Sequence, residues 1–156
     1  MLNSNKLRQL KSDLFAGLLH LKEIHLYNNR LEFVQNSLLN GLINLQICDL
    51  DRNKLKKIEA SLFKGLPNLQ KICVSNNLLR GIESLTFAGL IHLKEINLSY
   101  NQICYINENS FEGCTNLELL RLDNNQLKTF NRSFYKGLTK TKEIDLNENP
   151  LNDFIL

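Results

Sequence analysis

The chain has 156 residues, 43% of them hydrophobic and 22% charged, with a formal net charge of +3. This balance suits one soluble domain with a real core, and no apolar run reaches the roughly 18 residues that a membrane-spanning helix requires. So small a net charge gives no reason to expect a nucleic-acid partner, and Met1 to Leu10 lacks the apolar centre of a signal peptide.

From the first residues onward the chain repeats. Asparagines stand at Asn5, Asn29, Asn53, Asn77, Asn101, Asn125 and Asn149, and glycines at Gly17, Gly41, Gly65, Gly89, Gly113 and Gly137, both in steps of 24. Two columns with one period are the signature of a solenoid. Residues 1–20 read as the tail of a unit that starts inside its strand near Leu2. Further units start at Leu21, Leu45, Leu69, Leu93, Leu117 and Thr141. With no linker between them, 1–156 reads as one repeat domain.

Each unit opens on a short strand. Alternation as in Ile96-Asn97-Leu98 sends two apolar side chains inward and one polar side chain outward. The inward columns are Ile24, Cys48, Ile72, Ile96, Leu120, Ile144 and Leu26, Leu50, Val74, Leu98, Leu122, Leu146. Stacked units predict a parallel sheet. The asparagine then turns the chain, and its amide can satisfy backbone groups of its own and the next turn. Leu7, Leu31, Leu55, Leu79, Ile103, Leu127 and Leu151 follow, then Leu10, Val34, Ile58, Ile82, Ile106, Phe130 and Phe154, all core positions. The return carries Phe15, Leu39, Phe63, Phe87, Phe111 and Tyr135, then the glycine, then Leu18, Leu42, Leu66, Leu90, Cys114 and Leu138. These returns are too short for long helices, so turns or short 3₁₀ pieces are expected.

The pattern L-x-x-L-x-L-x-x-N-x-L-x-x-I-x-x-x-x-F-x-G-L-x-x, matched almost throughout from Leu93 to Asn116, resembles the leucine-rich repeat of the 24-residue typical class. It is similar to the arrays of Toll-like receptors, Slit proteins, variable lymphocyte receptors and extracellular matrix leucine-rich proteins. The resemblance implies an α/β-type repeat solenoid, a curved horseshoe with a parallel concave sheet. It also implies a ligand-binding surface outside the cell. Cysteine-rich caps are not seen at either end. Asn149-Pro150-Leu151-Asn152-Asp153 is similar to the entry of a C-terminal cap, with Asp153 where the first cap cysteine is expected, so a longer parent chain is anticipated.

Chemistry-bearing groups are sparse. Cys48 and Cys114 occupy core columns and read as small hydrophobes. Cys73, outward on its strand, and Cys104, after the turn, read as exposed thiols on different faces. Unpaired cysteines keep a cytoplasmic scaffold open as an alternative to an extracellular or cell-surface protein. His25, Asp49 and Cys73 share an outward column, but a linear row does not converge on a metal, and they read as surface. No nucleophile–base set, phosphate-cradling loop or metal motif appears, so neither an enzyme nor a cofactor is expected. Asn97-Leu98-Ser99 and Asn131-Arg132-Ser133 make Asn97 and Asn131 candidate glycan acceptors.

Partner recognition falls to the outward strand positions, which packing leaves free. Those expected to meet a protein partner are Tyr27, Asp49, Asp51, Arg52, Asn97, Tyr100, Arg121, Asp123 and Asp145; tyrosine and arginine are enriched in binding hot spots. Arg121 and Asp145 are also placed to pair across strands. A basic flank of Lys6, Arg8, Arg30, Lys54, Lys56, Lys57, Arg80 and Lys128, opposed by Glu32 and Asp153, suits an acidic glycan. The leading reading is a non-catalytic protein-binding module of a receptor-like or secreted protein. A matrix array that binds glycan or itself, and an intracellular scaffold, are the alternatives.

Overall fold

The computed structural model describes residues 1–131, 133 and 137–155, with only the backbone described for 153–155. Tyr135, Arg132 of the second sequon, and the side chains of Asp153 and Phe154 therefore lie outside the described residues. In chain order the strands are β1 (Glu23–His25), β2 (Ile47–Asp49), β3 (Lys71–Cys73), β4 (Gly81–Ile82), β5 (Glu95–Asn97), β6 (Tyr105–Ile106), β7 (Leu119–Arg121), β8 (Thr129–Asn131), β9 (Glu143–Asp145) and β10 (Asp153–Ile155). Among the described residues there is no α-helix, and no helix is long and apolar enough to cross a membrane.

The expected curved solenoid forms. Six strands make one parallel sheet in the order β1-β2-β3-β5-β7-β9. Its register follows the sequence period: Ile24 faces Cys48, Cys48 faces Ile72, Ile72 faces Ile96, and Leu120 faces Ile144. Each centre points inward because alternate strand residues project to opposite faces. Cys48 and Cys114 are core residues, as expected, and burial pushes both thiols up, that of Cys114 to about 12.

The asparagine column is a hydrogen-bonded ladder. Asn101 Nδ2 donates to Leu98 O of its own turn (3.0 Å) and to Val74 O of the preceding unit (3.0 Å), while its Oδ1 accepts from Leu79 N (3.0 Å). Asn53, Asn77 and Asn125 repeat the arrangement. A small amide that both donates and accepts can close the turn and stitch it to its neighbour at once.

The returns are strings of turns closed by bonds to the third residue back, such as Leu38 N to Gln35 O (3.0 Å). Gly41, Gly65 and Gly89 have φ between 75° and 78°, a left-handed shape that side chains resist. Phe63, Phe87 and Phe111 stack behind the sheet, with ring centroids 5.8 and 5.5 Å apart.

Three features depart from expectation. Leu38, Leu62, Thr86 and Ser110 form a further buried column, masked in sequence because the later units carry hydroxyls. Those hydroxyls are satisfied by backbone: Thr86 Oγ1 donates to Glu83 O (2.8 Å) and Ser110 Oγ to Asn107 O (2.6 Å). Short parallel pairs β4–β6 and β8–β10 add two small sheets after the turn. Leu18, placed in a core column, is 48% exposed, because its unit is covered by a neighbouring unit on one side only.

Candidate functional site

The outward residues of the sheet lie in three rows set by the register. The first is His25, Asp49, Cys73, Asn97, Arg121 and Asp145, adjacent in pairs across β1, β2, β3, β5, β7 and β9. Two residues on comes the row of Tyr27, Asp51, Ser75, Ser99, Asp123 and Asn147. One further on is Asn28, Arg52, Asn76, Tyr100, Asn124 and Glu148.

The rows are tied together by short hydrogen bonds. Asp49 Oδ1 accepts from Asp51 N (3.1 Å), Asn97 Oδ1 from Ser99 N (3.0 Å) and Asp145 Oδ1 from Asn147 N (3.1 Å). Across units, Asp51 Oδ1 accepts from Ser75 N (2.5 Å) and the Ser99 hydroxyl donates to Asp123 Oδ1. The aspartates of this face thus hold their rotamers by bonding backbone and hydroxyl. Tyr27 meets His25 edge-on, with ring centroids 6.3 Å apart.

The third row has a backbone property that the sequence reading missed. Asn28, Arg52, Asn76, Tyr100, Asn124 and Glu148 all adopt φ between 52° and 56°. Asparagine tolerates this left-handed conformation, whereas most side chains pay roughly 1–2 kcal/mol for it. A signal was present, since Asn28, Asn76 and Asn124 repeat at this position. Arg52 and Tyr100 therefore stand at strained positions, and both point to solvent, Tyr100 with 55% of its surface exposed.

Two expectations are corrected here. Cys73 is only 7% exposed, because a short side chain sits between longer in-register neighbours, Asp49 and Asn97. Burial, reinforced by Asp51, pushes its thiol up to about 12. Arg121 faces Asp145 in register, yet they form no ion pair; the Asp145 carboxylate turns back to Asn147 N instead. Among the described residues, the contacts between oppositely charged groups of successive units on this face are Lys71–Glu95 (2.9 Å), Lys142–Glu118 (2.5 Å) and, where the imidazole is protonated, His25–Asp49 (3.7 Å). The hydrogen bond from Lys142 lowers the Glu118 carboxyl below its ordinary range. Arg121 is left as an exposed, uncommitted guanidinium among the described residues.

Asp51, by contrast, joins Asp49 and Cys73: one ligand atom from each lies within 4.8 Å of the others. The linear row His25–Asp49–Cys73 did not predict this, because Asp51 comes from the neighbouring row. Burial raises the Asp51 carboxyl from an ordinary 3.8 to about 6, against the hydrogen bond from Ser75 N, and Asp49 adds to the rise. An acid raised in the fold binds more protons there than in the unfolded chain between those two values. Stability therefore falls as pH rises from about 4 to about 6, then levels. Asp51→Asn keeps an oxygen for Ser75 N. With a chelator present, urea unfolding should find it near wild type at pH 4 and more stable by about 1 kcal/mol at pH 7.

Asn97 is half-buried within β5, whereas Asn131 is exposed in β8. On the basic flank every named cation is exposed, but Lys57 pairs with Glu59, an acid the sequence reading left off that flank.

Coils of strand, asparagine turn and glycine return, presenting a parallel sheet along one side, define a repeat solenoid. The chain belongs to the leucine-rich repeat family, whose model matches residues 1–55, 20–79, 43–103 and 67–127. No curated protein matches it. Among solved structures it is similar to TLR13 in the crystal structure of its complex with ssRNA13, with TM-score 0.90 and 30% identity, over 94% of this chain and 21% of that one. Drosophila Toll in its complex with Spatzle gives TM-score 0.88 and 27% identity, over 92% and 21%. A Leptospira interrogans leucine-rich repeat protein shares the fold at TM-score 0.79 and 24% identity, over 92% and 35%. The chain thus spans about a fifth of the length of the first two. The expectation that nucleic acid is excluded finds no support, since one of these structures is an RNA complex.

Proposed function

We propose that residues 1–156 form a non-catalytic binding module whose concave face holds a protein partner, within a receptor-like extracellular or cell-surface protein. The likeness to TLR13 and Toll supports the receptor-like setting. The observation that carries the reading is the strained row. Arg52 and Tyr100 occupy left-handed positions where three other units place asparagine. Backbone strain retained against an easy local alternative points to use of the side chain. With Tyr27 and the unpaired Arg121, they set aromatic and guanidinium anchors along one face, among aspartates held in fixed rotamers. Asp49, Asn97, Asp123 and Asp145 are read as the polar surround that fixes orientation.

The strain also yields a test. Arg52→Asn and Tyr100→Asn should each raise stability by about 0.5–1 kcal/mol in urea unfolding, because asparagine relieves the left-handed penalty. The same pair, combined with Tyr27→Ala and Arg121→Ala, should lose the proteins that wild type retains from cell-surface extracts. A return-side control, Lys64→Ala with Glu112→Ala, should keep them. Equal retention by both variants rules the concave face out.

A further inference from the structure

Three ionisable side chains of one sign, Asp49, Asp51 and Cys73, converge in the middle of the concave face, with one ligand atom from each within 4.8 Å of the others. Lys71 Nζ lies 2.9 Å from Glu95, and His25 lies 2.9 Å from Glu23 through Nε2 and 3.7 Å from Asp49 through Nδ1, so among the described residues neither Asp51 nor Cys73 has a basic side chain at ion-pair distance. Asp49 and Asp51 each use one oxygen to accept a backbone N–H. The second observation is the thiol itself. Cys73 is only 7% exposed, its thiol makes no hydrogen bond among the described residues, and its sulfur lies within 4.8 Å of an oxygen of each carboxylate. A buried sulfur aimed at two anionic groups without a partner is a poor core residue and a good ligand.

We propose that Asp49, Asp51 and Cys73 bind one thiophilic divalent cation of the Zn²⁺ class, with water in the fourth position. Tetrahedral ligands at about 2.0–2.3 Å from a metal sit roughly 3.5 Å apart, so closure needs side-chain movements of about 1 Å. Two carboxylates and a thiolate select a borderline cation; Ca²⁺ and Mg²⁺ require more oxygen ligands than are offered here. Binding ionises the Cys73 thiol and releases its proton to solvent. The cation would lie beside Tyr27 and Arg52, on the face assigned to the partner, but the site does not depend on that assignment.

The test needs no partner. Titration of the reduced full chain by calorimetry should show one Zn²⁺ per chain, unaffected by excess Mg²⁺. Co²⁺, used as a spectroscopic probe, should give a thiolate-to-metal charge-transfer band. Cys73→Ser should abolish the band and weaken Zn²⁺ at least about tenfold, since even outer-shell partners of a metal are worth that much. Cys104→Ser should change neither. If Cys73→Ser fails to fold by circular dichroism, Asp49→Asn and Asp51→Asn should each show the same loss of Zn²⁺ affinity. Wild-type Zn²⁺ binding in these variants, a band that follows Cys104, or no binding at all would overturn the site.

Discussion

Asn101→Ala is expected to cost about 4 kcal/mol of stability, enough to unfold much of the array at modest denaturant. The side chain is buried and makes bonds in both directions along the solenoid: to Leu98 O and Val74 O as donor, and from Leu79 N as acceptor, each at 3.0 Å. Alanine orphans Leu79 N, and a buried unsatisfied group costs roughly 1–3 kcal/mol. It also takes one of two amide donors from each carbonyl, since Asn125 still reaches Leu98 O and Asn77 still reaches Val74 O, and each lost bond costs roughly 0.5–1.5 kcal/mol. Water cannot easily replace the amide, because Leu79, Leu98 and Ile103 around it are fully buried. Asn5 supplies the control. It stands in the same column but is exposed, and its amide reaches only Leu2 O and Asn3 O of its own turn. Asn5→Ala should cost less than about 1 kcal/mol. Urea unfolding followed by circular dichroism separates the two; comparable losses would mean that the ladder is not the source of stability.

The second large effect is expected at Phe87. Its ring is fully buried, nearly parallel to that of Phe111 (7° between planes, centroids 5.5 Å apart), and stacked on Phe63 at 5.8 Å. Phe87→Ala removes the middle member of this stack, and a buried phenylalanine truncated to alanine costs about 3–5 kcal/mol. The cavity resists collapse because Phe87 is pinned on both sides of its peptide to the following unit: Phe87 N donates to Ser110 O (2.9 Å), and the Cys114 thiol donates to Phe87 O (3.0 Å). Phe33→Ala, at an exposed ring of the flank, should fall within about 0.5 kcal/mol of wild type. Thermal unfolding of both variants checks the contrast; a small loss at Phe87 would show that the back of the coil can close over the gap.

Both effects concern columns that are legible from residues alone. Ile72, Val74, Asn77 and Leu79 recur at one spacing, and a strand's two-residue alternation followed by an amide turn leaves one way to stack them. The hydroxyl column was less legible. Thr86 and Ser110 look like surface residues until the backbone carbonyls that receive their protons are in place. The left-handed row was legible in principle, from Asn28, Asn76 and Asn124. Arg52, Tyr100 and Glu148 hid it by occupying the same position with residue types that rarely take that shape.

The functional surface divides along the same line. Sequence periodicity by itself determined the solenoid, its inward columns and its outward rows, because one 24-residue period dictates which side chains face the core. It did not determine what the outward side chains do to one another. The burial of Cys73, the arrival of Asp51 beside Asp49, and the failure of Arg121 to reach Asp145 were decided only by the tertiary structure. The physical reason is that packing constrains inward positions to a few apolar types. Outward contacts depend instead on the lengths, rotamers and hydrogen bonds of neighbours 24 residues away in the chain.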